Sequence, residues 1–251
     1  MEVQLVRHAT LLVTMSGVRI LVDPMLGEVG AAPAVANSPH PRPNPLTPLP
    51  LPASTILTDV AAVLVTHTHR DHFDEAAARF VPKSLPLFGQ PEDETKFAGM
   101  GFSDVRAVEG TARWNGIEFH RTGGRHGTGE IGRRMAPVSG FVLSAPGEPT
   151  LYIAGDTIWC AEVESALREY APSAAVVNAG AAQFLEGDPI TMTAEDVIAT
   201  ARSAPAAQIV AVHMEAINHC LLTRAELRER VRAGGVADRV RILGDGETLR
   251  I

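Results

Sequence analysis

The densest chemistry in the chain lies in Val63–Asp74, VLVTHTHRDHFD, where four apolar or β-branched residues run straight into His67, His69, Asp71 and His72. Imidazole and carboxylate are ligands for first-row metals, and four of them fall within the six residues 67–72. In an extended chain residues i and i+2 point to one face, with Cα atoms roughly 6.6 Å apart at about 3.3 Å rise. His67 and His69 can therefore converge on one ion, with Asp71 and His72 where the strand gives way to the next element. The competing view is a run of surface histidines on a polar loop. It fits poorly with a preceding strand too apolar to be a solvated edge.

Three further candidates come singly, each at the end of a β run. His126 sits in the glycine-rich loop Thr122–Gly132, Asp156 follows LYIAG, and His213 follows QIVAV. A lone histidine after a strand is more often a hydrogen-bonded structural residue, and Gly-Asp is commonly a turn. Taken together with the 67–72 cluster, in this order and spacing, they become specific. Ligands at strand ends suit a rigid site, because the sheet fixes the backbone while loops shape the pocket. His8 interrupts the N-terminal strand pattern at a junction, where a hydrogen-bonding histidine is the commoner outcome and a direct functional role the sharper one. No GxSxG, P-loop or GxGxxG-plus-acid pattern supports another chemistry.

The elements that must position these residues read as follows. Residues 2–23 suggest a hairpin, with β runs Thr10–Thr14 and Val18–Val22 about the turn residues Ser16-Gly17, and Asp23-Pro24 stopping the second strand. Residues 27–55 carry eight prolines, from Pro33 to Pro52, which rule out helix and central strand there. An N-terminal hairpin is too small to stand alone, so an interdomain linker is disfavoured. A long ordered loop over the body, acting as a lid on the site from 28 to 55, is the expectation. A short helix follows over Asp74–Phe80, then strand PLFGQ, helix PEDETKFAGMG and strand SDVRAV. The second half offers β runs Ile117–Arg121, Val138–Ser144 and Thr150–Ala154. Alternation then resumes with helix Glu162–Tyr170, strand Ala174–Asn178, a helix from Thr193 and strand Gln208–Val212. A helix capped at Thr223 and strands near Val240–Leu243 and Glu247–Ile251 close the chain. Strand and helix alternate, which points to a layered α/β body read as one domain over 1–251.

Composition sets bounds on partners. The 251 residues are 45% hydrophobic and 20% charged, which is ordinary for a globular chain. A formal charge of −7 argues against general affinity for nucleic acid or an anionic membrane. A local basic patch of Arg125, Arg133 and Arg134 is left to attract an anionic group of a substrate. Two cysteines far apart, Cys160 and Cys220, give no disulfide framework and suit a reducing, cytoplasmic setting. No apolar leader and no run of 18 apolar residues appears, so the reading is neither secreted nor membrane-inserted.

HTHRDH matches the HxHxDH signature of the metallo-β-lactamase superfamily, and GRHG, GDT and VHME fall where that family has its further ligands. The resemblance spans essentially the whole chain. In look it is nearest to the branch of ascorbate-phosphate lactonase-like and N-acylethanolamine phospholipase D-like proteins, which also open with a HA(S/T) element and a DP turn. It implies a four-layer αβ/βα sandwich with a two-metal site at one edge between the sheets. It further implies that His67, His69 and His126 hold one metal, that Asp71, His72 and His213 hold the other, and that Asp156 bridges both. HMEAINH offers both His213 and His219. The first follows the strand directly, and the second is better placed for substrate contact or proton donation, with structural packing as the alternative.

The chemistry implied is hydrolysis. Two divalent ions about 3.5–4 Å apart trap a hydroxide at neutral pH by lowering the pKa of water toward about 7. Asp71 would orient the water and shuttle a proton, and His8, Arg125 and His219 are the candidates for substrate contact. Histidine at position 69, where flavodiiron oxygen reducers carry an acid, favours hydrolysis over redox cycling. Zinc is the default metal for a His-rich site, and manganese and iron are used by relatives. The expected activity is cleavage of a small-molecule lactone, ester or phosphodiester. The alternatives are a non-catalytic sensor of the same fold or a ribonuclease Z-like nuclease, and a homo-oligomer is left open.

Overall fold

The first three strands show how apolar periodicity becomes sheet. Glu2–Arg7 (β1), Thr10–Met15 (β2) and Val18–Val22 (β3) pair antiparallel, with Ser16 and Gly17 at positive φ turning the chain between the last two. The expected hairpin is β2–β3. β1 is an additional strand, less visible because Gln4 and Arg7 interrupt its apolar run; Val3 and Leu5 are nonetheless fully buried. The computed structural model describes all 251 residues, and the remaining elements follow in order.

Ala53–Ile56 (α1), Val60–Val65 (β4), Glu75–Phe80 (α2), Leu87–Gly89 (β5), Glu94–Gly99 (α3) and Val105–Ala107 (β6) complete the first half. Thr111–Trp114 (β7), Ile117–Thr122 (β8), Gly129–Met135 (α4), Gly140–Ser144 (β9), Leu151–Ile153 (β10) and Ala161–Tyr170 (α5) follow. Ala174–Asn178 (β11), Ala194–Ser203 (α6), Gln208–Val212 (β12), Arg224–Ala233 (α7), Val240–Ile242 (β13) and Thr248–Arg250 (β14) end the chain.

Three differences from the sequence reading have local causes. The proline-rich span was expected to hold no helix, yet α1 begins at Ala53 with Pro52 as its N-cap. A proline there does no harm, because the first helical N–H groups have no intrahelical acceptor. The glycine-rich loop after β8 contains α4, a helix with no buried residue and hence no apolar stripe to read. β7 is a half-exposed edge strand, with similarly little apolar signal.

The strands form two seven-stranded sheets, ordered β14-β1-β2-β3-β4-β5-β6 and β13-β12-β11-β10-β9-β8-β7. Alternate residues of the central strands face opposite cores. In β4, Ala62 and Leu64 point between the sheets, while Val63 and Val65 pack beneath the helices with Ile56, Ala77 and Phe97. In β12, Val210 and Val212 face the first sheet and Ile209 and Ala211 meet α5, α6 and α7. Three cores between four layers make the expected αβ/βα sandwich. Phe88 of β5 and Phe119 of β8 stack across the central core, ring centroids 4.3 Å apart and planes 6° apart. Burying each such aromatic contributes about 1.5–3 kcal/mol. No helix is long and apolar enough to cross a membrane.

Candidate metal centre

The C-terminal ends of β4, β10 and β12 and the loop after β8 converge on one edge of the sandwich. Two groups of potential ligand atoms lie there, each with all atoms within 4.8 Å of one another. One is His67, His69, His126 and Asp156. The other is His8, Asp71, His72 and His213. The seven residues singled out from the sequence are thus brought together, and His8 joins them.

Backbone geometry aims these side chains. Gly155 has φ +68°, and a Cβ there would lie 2.6 Å from the carbonyl oxygen of Ser139, so only glycine lets the chain turn into Asp156. Gly127, beside His126, has φ +98° and a Cβ would meet Ile190 at 2.8 Å. His8 and His213 are both left-handed, at φ 59° and 69°. The His213 amide donates to the His8 carbonyl at 2.9 Å, so the two strained residues brace each other across the sheets.

The tautomers follow from the outer partners. Thr66 donates its hydroxyl to Asp23 Oδ2 at 2.7 Å, which leaves its oxygen to accept from His67 Nδ1 at 3.1 Å. His126 Nδ1 donates to the Ile190 carbonyl at 2.7 Å, and His72 Nδ1 faces Asp23 Oδ2 at 2.8 Å. With Nδ1 protonated, each of these rings turns the lone pair of Nε2 inward. The Nε2 atoms of His126, His72 and His213 meet the Asp156 carboxylate. Its Oδ2 lies 3.3 Å from His126 Nε2 and 3.2 Å from His72 Nε2, and its Oδ1 lies 3.2 Å from His213 Nε2. Lone pairs facing a buried carboxylate repel unless a cation stands among them. The donor set, imidazoles and carboxylates in both groups, therefore fits divalent metal.

Electrostatics agree. Burial, reinforced by neighbouring histidines, pushes His67 well below the usual imidazole range, His126 down to about 4 and His8 to about 3. Such rings are neutral; His67 and His126 keep Nε2 available for a metal, whereas His8 turns its Nε2 to Asp71. His72 is the exception. Burial opposes its charge, but the carboxylates of Asp156, Asp23 and Asp71 outweigh that and raise it well above its ordinary value. Burial would raise Asp71 and Asp156, yet the surrounding histidines, His72 and His213 among them, hold both ionised far below the carboxylate range.

The remaining candidates land differently. His8 is fully buried, its Nε2 3.0 Å from Asp71 Oδ2 and its ring 3.6 Å from that of His213. His219 is buried beside the centre with Nδ1 unpartnered, and burial lowers its basicity. Arg125 turns away from both groups to pair with Glu162 at 3.0 Å on the exposed side of α5.

Four supporting residues were not found from the sequence. They are Asp23, which also accepts from the Thr66 amide at 2.7 Å, Thr66 itself, Asn178, which donates to Asp156 Oδ1 at 2.7 Å, and Cys220, whose thiol lies 3.6 Å from His213 Nδ1. Asp23 had a signal, the DP turn at the end of a strand. The others carried none.

Residues 28–55 form a fixed wall beside the centre. Asn218 binds it at four points: its Oδ1 accepts from the Val35 amide and from Asn44 Nδ2, and its Nδ2 reaches Ser38 and the Pro39 carbonyl. The buried Arg7 guanidinium holds the base of the wall through the carbonyls of Met25, Gly27 and Thr47. Between this wall and α2 opens a cleft of about 640 Å³ that reaches Asp71.

Known proteins share this sequence pattern and fold. A family model described as the β-lactamase superfamily domain matches residues 18–214. The UPF0173 protein YddR of Bacillus subtilis is 36% identical over 251 residues, 99% of each chain. The solved structure of an isothiocyanate hydrolase from Delia radicum gut bacteria is 39% identical, spans 100% of this chain and 99% of its own, and superposes with a TM-score of 0.95. That of a possible metal-dependent hydrolase from Veillonella parvula is 34% identical over 100% of this chain and 99% of its own, with a TM-score of 0.96. With its fold, its two ligand groups and these relatives in agreement, the chain belongs to the β-lactamase superfamily and is a metal-dependent hydrolase.

Proposed function

We propose that this hydrolase is binuclear and cleaves a small organic molecule at an electrophilic carbon, with the isothiocyanate group as the first candidate. The observation that carries the binuclear reading is the Asp156 carboxylate, which faces His126 of one ligand group and His72 and His213 of the other within 3.3 Å. His67, His69 and His126 would hold one ion, and Asp71, His72 and His213 the other, with Asp156 common to both. Zinc is the first metal to test, then manganese and iron. Two divalent ions there supply Lewis acidity, making water a stronger acid and drawing electrons from the bond under attack.

The chain's own residues supply the rest. Asp71 accepts from His8, and 17% of its side chain stays open toward the cleft, so it can orient water and take a proton from it. His219, buried and with Nδ1 free, would contact the substrate or return a proton to the departing group. The isothiocyanate candidate rests on the 39% identity to a hydrolase of that group along the full chain. In that reaction water adds its oxygen to the N=C=S carbon and a proton to nitrogen. The remaining hydroxyl proton passes to the nitrogen as the bond between that nitrogen and the attacked carbon breaks, giving an amine and carbonyl sulfide. Lactones, esters and phosphodiesters are the wider set the residues themselves allow.

The test loads the protein with zinc, manganese or iron and assays isothiocyanates, lactones, esters and phosphodiesters side by side. Two equivalents of metal, turnover of an isothiocyanate, and loss of both activity and at least one metal in His67→Ala are the expected results. Two equivalents of metal with no turnover across the panel would instead make this a metal-binding sensor.

A further inference from the structure

The cleft beside Asp71 has a composition that the metal centre does not explain. One wall is the run Ala31–Ala36, small and apolar throughout, and the floor is Met25, Leu26 and Ile217. The floor is continuous with the centre. Met25 and Ile217 pack in one cluster with Ala216, and Val35 and Cys220 lie against it, so the apolar surface runs from the wall to the thiol beside His213. At about 640 Å³ the cleft falls within the range of ordinary ligand sites.

Its charge is mixed, with an acidic excess. Glu28, Asp71, Asp74 and Glu75 line it, against Arg70 and Arg79. Asp74 is occupied with the amides of Gly27 and Ala77, and the Arg79 guanidinium lies over the Phe80 ring at 4.5 Å. Arg70 is exposed at the mouth. No buried cation waits for an anionic group, and the carboxylates outnumber the arginines.

We infer that this cleft is the binding site for the apolar substituent of an uncharged substrate, holding an aryl or alkyl tail along Ala31–Ala36 while the reacting carbon sits by Asp71. The inference deepens the proposed hydrolysis and rests on it for the identity of the reacting group. It selects against phosphodiesters and other anions. The wall is preformed. The bridge Ala32–Asn44, with backbone hydrogen bonds of 2.7 and 2.8 Å, and the contacts of Asn218 hold it before any ligand arrives, so little ordering opposes binding.

The test has two readouts. The first compares kcat/KM for methyl, butyl, benzyl and 4-carboxybenzyl isothiocyanate with zinc-loaded protein. Benzyl and butyl should exceed methyl by at least about tenfold, and the added carboxylate should reduce the benzyl value by about tenfold. In Ala34→Trp, which fills the cleft, the benzyl-to-methyl ratio should fall to near one. Ala31→Trp, at an exposed position of the same wall, serves if Ala34→Trp fails to fold. The second readout is independent of chemistry: the neutral dye N-phenyl-1-naphthylamine should brighten on binding the intact protein and not the tryptophan variants. Dye binding lost in the variants with no isothiocyanate turnover would sink the proposed reaction and leave the cleft assignment standing. Isothiocyanate turnover without tail preference, or dye binding unchanged by the variants, would overturn the cleft assignment itself.

Discussion

The two sheets meet at the metal centre by different means. The first sheet delivers four candidate ligands in six residues from the end of β4, and a single buried carboxylate, Asp23, supports two of them, His72 directly and His67 through Thr66. Asp23 accepts from the Thr66 amide and hydroxyl and faces His72, while Thr66 in turn reaches His67. The second sheet delivers three candidate ligands one at a time, each with its own support: the Ile190 carbonyl for His126, Asn178 for Asp156, the Cys220 thiol for His213. One half is a linked network and the other a set of separate posts. Removing one prop should therefore disturb two ligands on the first sheet but only one on the second.

The largest effect should come from the post shared by both halves. Asp156→Ala should leave less than about one metal per chain and lower kcat/KM by more than about a thousandfold, read by elemental analysis and kinetics. Asp23→Ala comes next. It frees two Thr66 donors and the His72 Nδ1–H in a buried space, so metal affinity or activity should drop roughly 100-fold and the fold lose about 1–3 kcal/mol. Asn178→Ala removes one hydrogen bond from Asp156 and should cost about tenfold in metal affinity. Cys220→Ser should change affinity by less than about threefold, because a thiol is a weak hydrogen-bonding group at the 3.6 Å seen here. If Asn178→Ala proved as damaging as Asp23→Ala, the contrast between network and posts would be wrong.

The same contrast governs what the sequence could tell. HTHRDH is compact, follows an apolar strand, and is legible at once. The single ligands His126, Asp156 and His213 gained meaning only from their order and from the resemblance to a family. Supports such as Thr66, Asn178 and Cys220 are common residue types with no spacing of their own. They act through contacts that exist only after folding: Thr66 lies 43 positions from the Asp23 it bonds and Asn178 lies 22 from Asp156, with nothing in the sequence to link them. Arg125 shows the converse. With Arg133 and Arg134 it reads as a basic patch for an anionic substrate group, and the fold lays its side chain along α5 on Glu162, a contact the sequence does not show. In the fold, strands with alternating burial were readable. α4 and β7 were missed because neither buries an apolar stripe.

The proline-rich span lies between these cases. Its many prolines and the small hairpin before it suggest a long ordered loop over the body. What fixes it, the Asn218 hydrogen bonds and the buried Arg7, lies outside the span. Asn218→Ala should loosen this wall, raising KM for a long-tailed substrate by about threefold to tenfold while the metal content stays at the wild-type value. Lost metal in that variant would mean that Asn218 supports the centre rather than the wall.

The central claim is that two ligand groups, sharing Asp156, hold two ions. A crystal structure of zinc-loaded protein with anomalous diffraction measured at the zinc edge tests it most directly. The account predicts two anomalous peaks, one among His67, His69 and His126 and one among Asp71, His72 and His213, with Asp156 touching both. A single peak at full zinc loading, or an Asp156 carboxylate that touches neither ion, would contradict it.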